Sequence, residues 1–204
     1  MKSQSPLSRI RWLSVRNLSS EDAPPFAALR VVGATRLDEQ TIVTVDKPDA
    51  TLARHYMLNG PARIAAGGHG DATFDAPALA LFDAAHTPAA GEGCGPRSGQ
   101  WSLARGYPGF TILGDNSGAG AASKTLVMWE PINRLIGKTT SAIAANASGT
   151  INLWVGAGGG EAVASPTTTF TGINWTGVDI DSGAKVIALW VNAAWYIEPW
   201  ECPA

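Results

Sequence analysis

The sequence has little cysteine, little clustered charge and no long apolar run, and each scarcity excludes a class of protein. Only Cys94 and Cys202 occur, far apart, so neither a metal cluster of thiols nor a dense disulfide framework is expected. The net charge is -2 and the basic residues are scattered, which argues against nucleic acid as a partner. No stretch approaches a membrane span or a signal-peptide core, so we expect assembly in the cytoplasm, without a membrane partner.

Glycine and proline are abundant instead, with 23 and 13 residues, and they separate short runs rich in valine, isoleucine, threonine and aromatic residues. Runs of this length between turn-forming residues are typical of an all-β protein. No period repeats along the chain, which argues against a solenoid or propeller. The predicted strands cover residues 10–15, 28–32, 40–45, 55–59, 62–65, 78–82, 110–113, 125–129, 150–155, 168–174 and a hairpin over 185–197.

Residues 116–123 are small and polar, which is typical of a linker between domains. The sequence therefore predicts two small β-barrel or β-sandwich-like domains, an N-terminal module over 1–115 and a tryptophan-rich β-barrel over 124–204. The second contains at most one short helix, for which the alanine-rich stretch 138–146 is the candidate. Residues 1–16 are expected to form a basic docking arm.

Two stretches partly match nucleotide-binding motifs. GKTT at 137–140 ends like a P-loop, but Ile132 stands where the first glycine belongs, so the phosphate cradle cannot form. The glycines at 156–160 follow a predicted strand, yet Glu161 occupies the third glycine position of a dinucleotide motif and no helix is indicated after it. We interpret this second stretch as a β-hairpin loop, and we expect no cofactor.

The sequence contains no recognisable arrangement of catalytic residues. His69 and Asp71, with Asp75 and Asp83 further on, could gather around a metal or act as a base with its acid, but their spacing gives no reason for convergence. There is no G-x-S-x-G nucleophile elbow. We therefore predict no catalytic residue, no metal site and no enzymatic activity.

Aromatic residues are concentrated late in the chain. Six of the eight tryptophans, at 129, 154, 175, 190, 195 and 200, fall in the second half, where a small barrel has too little interior to hold them all. The sequence predicts that several rings are exposed or lie at an interface, with Trp190, Trp195, Tyr196 and Trp200 as the interface candidates. The stretch 198–201, beside Trp195 and Tyr196, could instead line a sugar site, because aromatic faces stack on pyranose rings.

A resemblance supports the interface interpretation. The glycine- and tryptophan-containing stretches 148–154, 178–186 and 190–197 resemble small β modules that end virion structural proteins of tailed bacteriophages. The stretches 17–33 and 58–61 resemble N-terminal modules of similar phage and bacterial proteins. The resemblance implies a non-enzymatic part of the particle: a capsid decoration, a head fibre, or a neck or tail component.

Such proteins act commonly as trimers or as copies on a symmetric ring, so the expected partners are other virion proteins and further copies of this chain. The expected location is the virion, assembled in the host cytoplasm. Arg9, Arg11, Trp12 and Arg16 are the proposed anchors of the N-terminal arm, because arginine and tryptophan are enriched in protein interfaces. Two alternatives remain open: a receptor- or carbohydrate-binding module of a tail or neck fibre, and a cell-wall hydrolase.

Overall fold

The computed structural model describes residues 10–37, 40–53, 55–115, 123–157, 160–163 and 168–200. Within these ranges the regular elements are β-strands, so the mainly β class predicted from the sequence is confirmed. No helix in this part of the chain is long and apolar enough to cross a membrane. The strands pair into three sheets, one after another along the chain.

The first sheet, barrel 1, is a closed ring in the order β1-β3-β2-β4-β5. Only β1 and β3 run parallel, and the other neighbours are antiparallel. The closed ring leaves no unpaired sheet edge. Its strands are β1 (Leu13–Asn17), β2 (Ala28–Leu37), β3 (Gln40–Asp46), β4 (Tyr56–Asn59) and β5 (His69–Thr73).

Barrel 2 repeats this topology with different residues. Its order is β10-β6-β8-β7-β9, again closed, and β6 and β8 form the parallel pair. Each strand therefore has the place of the strand five positions earlier in chain order. The strands are β6 (Ala78–Phe82), β7 (Gly93–Pro96), β8 (Leu103–Arg105), β9 (Phe110–Asp115) and β10 (Ser123–Trp129).

Barrel 3 is a six-stranded sheet in which five strands also form a ring. The pairing of β11 with β12 joins the ends of the order β11-β15-β16-β14-β12, and β13 attaches to β12 outside that ring. The parallel pair is now β14 with β16, the third and fifth strands of the ring in chain order. In barrels 1 and 2 the parallel pair is formed by the first and third strands. The strands are β11 (Arg134–Thr139), β12 (Ser148–Ala157), β13 (Gly160–Val163), β14 (Thr169–Asn174), β15 (Lys185–Val191) and β16 (Ala194–Pro199).

One turn recurs twice in barrel 1 and twice in barrel 3. Each turn contains a residue in an isolated β-bridge, and the bridges join the two turns of a barrel: Ala23 with Ile64, and Ile143 with Ile180. The third residue after each bridge residue has a positive φ, between 60° and 77°. Glycine adopts this conformation freely and asparagine with little strain, whereas it is uncommon for a phenylalanine. The four positive-φ residues are Phe26, Gly67, Asn146 and Gly183.

A buried polar side chain ends the strand before each of these turns. These residues are Asn17, Asn59, Thr139 and Asn174, and all four are almost fully buried. Each donates a side-chain hydrogen bond to backbone carbonyls of the opposite turn in its barrel. Each of these carbonyls also accepts a backbone N–H, so the side chain supplies a second donor that joins the two halves of the barrel.

The described residues form two apolar cores, of which one lies inside barrel 1 around Val15, Leu29 and Met57 and the other extends across all three barrels. A single cluster of buried side chains runs from Leu58 in barrel 1 through Phe110 in barrel 2 to Ile197 in barrel 3. Backbone hydrogen bonds also cross between barrels: the N–H of Leu81 donates to the carbonyl of Phe26 over 2.8 Å, and that of Leu52 to Thr169 over 2.8 Å.

The observed strand pairing differs from the sequence prediction in the number of barrels and in the position of the boundary between them. Most of the expected linker, residues 116–122, lies outside the described residues, and β10 after it pairs with β9 and β6. Barrel 2 therefore ends at Trp129, and the two predicted modules become three sheets. The helix predicted over 138–146 is wrong: β11 covers the first residues and a turn the rest.

Candidate interaction surface

The outer side of barrel 3 is unusually apolar for the solvent-facing side of a sheet. Strand β15 points Val186 and Ala188 into the core, but its outward residues Leu189 and Val191 are apolar too. Outward positions on a solvated antiparallel sheet are ordinarily polar. This strand is therefore apolar on both sides.

Strand β16 completes this surface through its register with β15. Tyr196 lies directly opposite Leu189, and Glu198 lies opposite Ile187. A two-residue turn joins the strands, with positive φ at Asn192 (47°) and Ala193 (64°), as the type I′ hairpin requires. The tight turn fixes this register, so the outward side chains of the two strands stand side by side.

The segment after β14 adds the most exposed apolar residues. The exposed fractions are 57% for Trp175 and 60% for Val178. A shallow groove of about 200 Å³ lies between Trp175 and the hairpin, and Glu198 is the charged residue among those lining it. We define the apolar face by the four apolar or aromatic residues that line this groove: Trp175, Leu189, Val191 and Tyr196.

The structure separates the four aromatic residues that the sequence placed at one interface. Trp195 is 7% exposed and packs inside barrel 3, with its ring centroid 5.9 Å from Phe170 and 5.0 Å from Trp190. It therefore presents no surface to a partner. Trp190, also inward, is half-buried beside it. Tyr196 alone of the four lines the groove, whereas Trp200 is exposed elsewhere, with the Arg134 guanidinium 5.8 Å from its ring centroid.

The proposed N-terminal anchors lie in β1 of barrel 1 or before it, and not on barrel 3. Arg9 is outside the described residues. Arg11 is exposed, and its backbone N–H donates to Asp75, which lowers the pKa of that carboxyl below its usual value. Trp12 and Arg16 are exposed as predicted. Residues 13–16 belong to β1 inside barrel 1, so this part of the expected arm is an integral strand.

The residues considered for metal or acid–base chemistry do not converge. His69 and Asp71 point outward from β5, Asp75 pairs with Arg11, and Asp83 pairs with Arg97 over 3.1 Å. Within the described ranges, no group of three histidine, cysteine, aspartate or glutamate residues could hold a metal ion. The GKTT stretch lies on β11, and the glycine-rich stretch joins β12 to β13, which confirms the hairpin interpretation.

Sequence reasoning missed Trp175, Leu189 and Val191. A signal for two of them was present: the run KVIALWV at 185–191 is apolar at both alternating sets of positions after its lysine. No signal pointed to the residues after β14, because their exposure depends on how the turn lies against barrel 3.

Comparison with known proteins gives no relative. No protein-family description, no curated protein and no solved structure matches the chain at a significant level.

Proposed function

We propose that this protein is a non-enzymatic structural component of a bacteriophage virion, which assembles through protein–protein contacts made by the apolar face. The observation that carries the proposal is that face itself, where four apolar or aromatic side chains stand together on the outside of barrel 3. Contiguous exposed apolar surface marks protein interaction sites, because covering it removes apolar area from water. The virion assignment comes from the resemblance of the sequence to phage modules.

Further copies of this chain are the proposed partners at the apolar face, with a trimer favoured. Around a three-fold axis each copy would contribute the same face, and the exposed Trp175 and Val191 would become buried. A decoration or head-fibre role then requires a second surface that contacts the capsid or neck, and we assign it to the basic N-terminal residues Arg11 and Arg16. Both are exposed, and neither belongs to the apolar face.

The carbohydrate-binding alternative is less well supported at this face. A sugar ring needs several hydrogen-bond partners besides an aromatic surface, and the side chains that line the groove offer few: the Tyr196 hydroxyl, the Glu198 carboxylate and the Trp175 indole N–H. Its remaining lining residues are Leu189 and Val191. This composition favours an apolar protein partner.

Immunoelectron microscopy tests the virion assignment. Antibodies raised against the purified protein would be applied to phage particles induced from the strain that encodes the chain. We expect gold label on intact particles, at the capsid or the neck. If purified particles carry no label while the infected lysate contains the free protein, the assignment is wrong.

A further inference from the structure

The turn after β4 differs from its counterparts in one hydrogen bond. In the turns that follow Asn17 and Asn174, the side-chain Oδ1 accepts a bond from the backbone N–H two residues later, over 3.0 and 3.1 Å. After Asn59 that residue is Pro61, which has no N–H. Asn59 Oδ1 consequently accepts no hydrogen bond from the described residues, although the side chain is only 2% exposed.

This unmatched acceptor lies beneath a groove on the outside of barrel 1. The groove has a volume of about 400 Å³, and we refer to it as the Trp12 groove. Trp12, 45% exposed, packs against the backbone of Gly60, where a Cβ atom would lie 3.3 Å from the indole ring. The residues that line it include Trp12, Asn59, Gly60, Arg63, His69 and Asp71.

Unused polar groups face this groove. His69 and Asp71 occupy alternate positions on β5, so both point outward, and both are exposed. Neither side chain makes a hydrogen bond or ion pair within the part of the chain that the structure describes. Arg63 is held by Asp22, its Nη1 lying 2.8 Å from the carboxylate, with two-thirds of its side chain still exposed.

The charge of the lining indicates a neutral, hydroxyl-rich ligand. An anionic group in the groove would meet Asp71, while the guanidinium among the lining residues, that of Arg63, already pairs with Asp22. A purely apolar ligand would leave His69 and Asp71 without partners. A sugar ring satisfies both demands, because it presents a C–H face to an indole and hydroxyl groups to a carboxylate and an imidazole.

We propose that the Trp12 groove is a saccharide-binding site, in which a neutral pyranose residue stacks on Trp12 and its hydroxyls bond to Asp71 and His69. The site lies on barrel 1 and uses none of the residues of the apolar face. It is therefore independent of the proposed assembly function.

Nuclear magnetic resonance of the full chain with ¹⁵N-labelled tryptophan tests this site. The indole N–H signal of Trp12 is assigned by its loss in Trp12→Phe. The probes are the methyl glycosides of glucose, galactose, mannose, N-acetylglucosamine and rhamnose. We expect at least one to shift that signal saturably, with a Kd of about 1 mM or below. If none shifts it at concentrations well above that value, the proposal is wrong.

Matched variants identify the groups that bind. Asp71→Asn should weaken binding about tenfold, because a hydrogen bond to a charged carboxylate is stronger than one to a neutral amide oxygen. Trp175→Ala, which removes an exposed indole from the apolar face, should leave the binding constant unchanged. Equal affinities in Asp71→Asn and the unmodified protein would overturn the site, whatever the oligomeric state of either.

Discussion

The side-chain amide of Asn174 donates hydrogen bonds to the carbonyls of Ile143 and Ala144, over 3.1 and 3.2 Å, although the residues lie some 30 positions apart. A third bond reaches the carbonyl of Val178 over 2.7 Å. One buried side chain thus satisfies three backbone acceptors in two turns. Asn17 does the same in barrel 1, with bonds to Glu21, Ile64 and Ala65.

Replacing Asn174 by alanine should destabilise the protein strongly. The change removes three side-chain hydrogen bonds from a buried site, and a typical one contributes about 0.5–1.5 kcal/mol to stability. We expect a loss of about 3 kcal/mol in the free energy of unfolding, measured by urea denaturation. Asn133→Ala, at an exposed position just before β11, is the control and should change it by less than about 0.5 kcal/mol. Similar losses in both variants would contradict the assigned role.

The two glycines of β7 should respond differently to alanine. A Cβ atom on Gly95 would lie 2.0 Å from the backbone oxygen of Pro108, whereas one on Gly93 would meet no atom within 4 Å. Gly95→Ala must therefore move backbone, and we expect it to cost at least the upper part of the range of about 1–3 kcal/mol that is typical of overpacking. Gly93→Ala is its neighbour on the same strand and should be nearly neutral. Thermal unfolding of both variants would show the difference, and equal midpoints would exclude the close approach.

Stability should fall at alkaline pH, partly through Cys94. Burial raises the pKa of this thiol from 9.0 to about 12, with Glu92 adding to the shift, and burial raises that of Tyr56 from 10.0 to about 12. As the pH rises, the unfolded chain releases these protons first, so the free energy of unfolding decreases between about pH 9 and about pH 12. The groups have no such effect below pH 9, where both states keep the protons.

Urea denaturation at several pH values measures this decrease. In Cys94→Ala the fall should begin later, near the ordinary tyrosine pKa, because the thiol no longer contributes. Parallel curves for the variant and the unmodified protein would show that the thiol ionises equally in both states.

Local sequence patterns were sufficient to predict the class and most of the longer strands. Strands β2, β3, β6 and β12 are runs of β-branched and apolar residues between turn signals, and the structure contains all of them. Two strands that were not predicted, β5 and β7, contain few β-branched or large apolar residues. Strand β5 is HGDAT and β7 is GCGP, and both exist because neighbouring strands of a closed ring supply hydrogen bonds to them.

The helix predicted at 138–146 failed for a related reason. Alanine-rich composition favours helix only weakly, and the tertiary contacts of Thr139 override it. The hydroxyl of Thr139 donates to the carbonyl of Asp181 over 2.7 Å, and its oxygen accepts from the N–H of Ala184 over 3.0 Å. These bonds fix an extended end of β11 followed by a turn.

The recurring turn was also beyond sequence reasoning. The distance from the buried polar residue to the bridge residue varies: Asn17 to Ala23 spans six positions, and Thr139 to Ile143 spans four. The positive-φ position holds phenylalanine once, asparagine once and glycine twice. No fixed period or residue pattern therefore marks the repeat, which becomes visible only when the opposing turns are in contact.

Phe26 shows why that position varies. Its ring lies under Lys124 of barrel 2, with the Nζ atom 4.6 Å from the ring centroid, and its carbonyl accepts the bond from Leu81. The contact between barrels favours a large ring there, despite a backbone conformation that suits glycine.

The apolar face was predicted only in part, because sequence shows which residues are aromatic but not which side of a strand they occupy. Trp195 and Tyr196 are adjacent, and alternation along β16 sends the first into the core and the second outward. A shift of one residue in the hairpin would reverse this arrangement.

Multi-angle light scattering of the purified protein tests whether copies of this chain associate through the apolar face. If the apolar face joins copies of this chain, the molar mass should be a multiple of the 21.2 kDa chain mass, three-fold for the favoured trimer. The double variant Leu189→Asp and Val191→Asp should be a folded monomer, because both side chains are exposed in the isolated chain and carry charge into the interface when copies associate. Val32→Asp, at an exposed strand position on barrel 1, is the control and should keep the native mass. A monomeric unmodified protein, or a double variant with undiminished mass, would contradict assembly through this face.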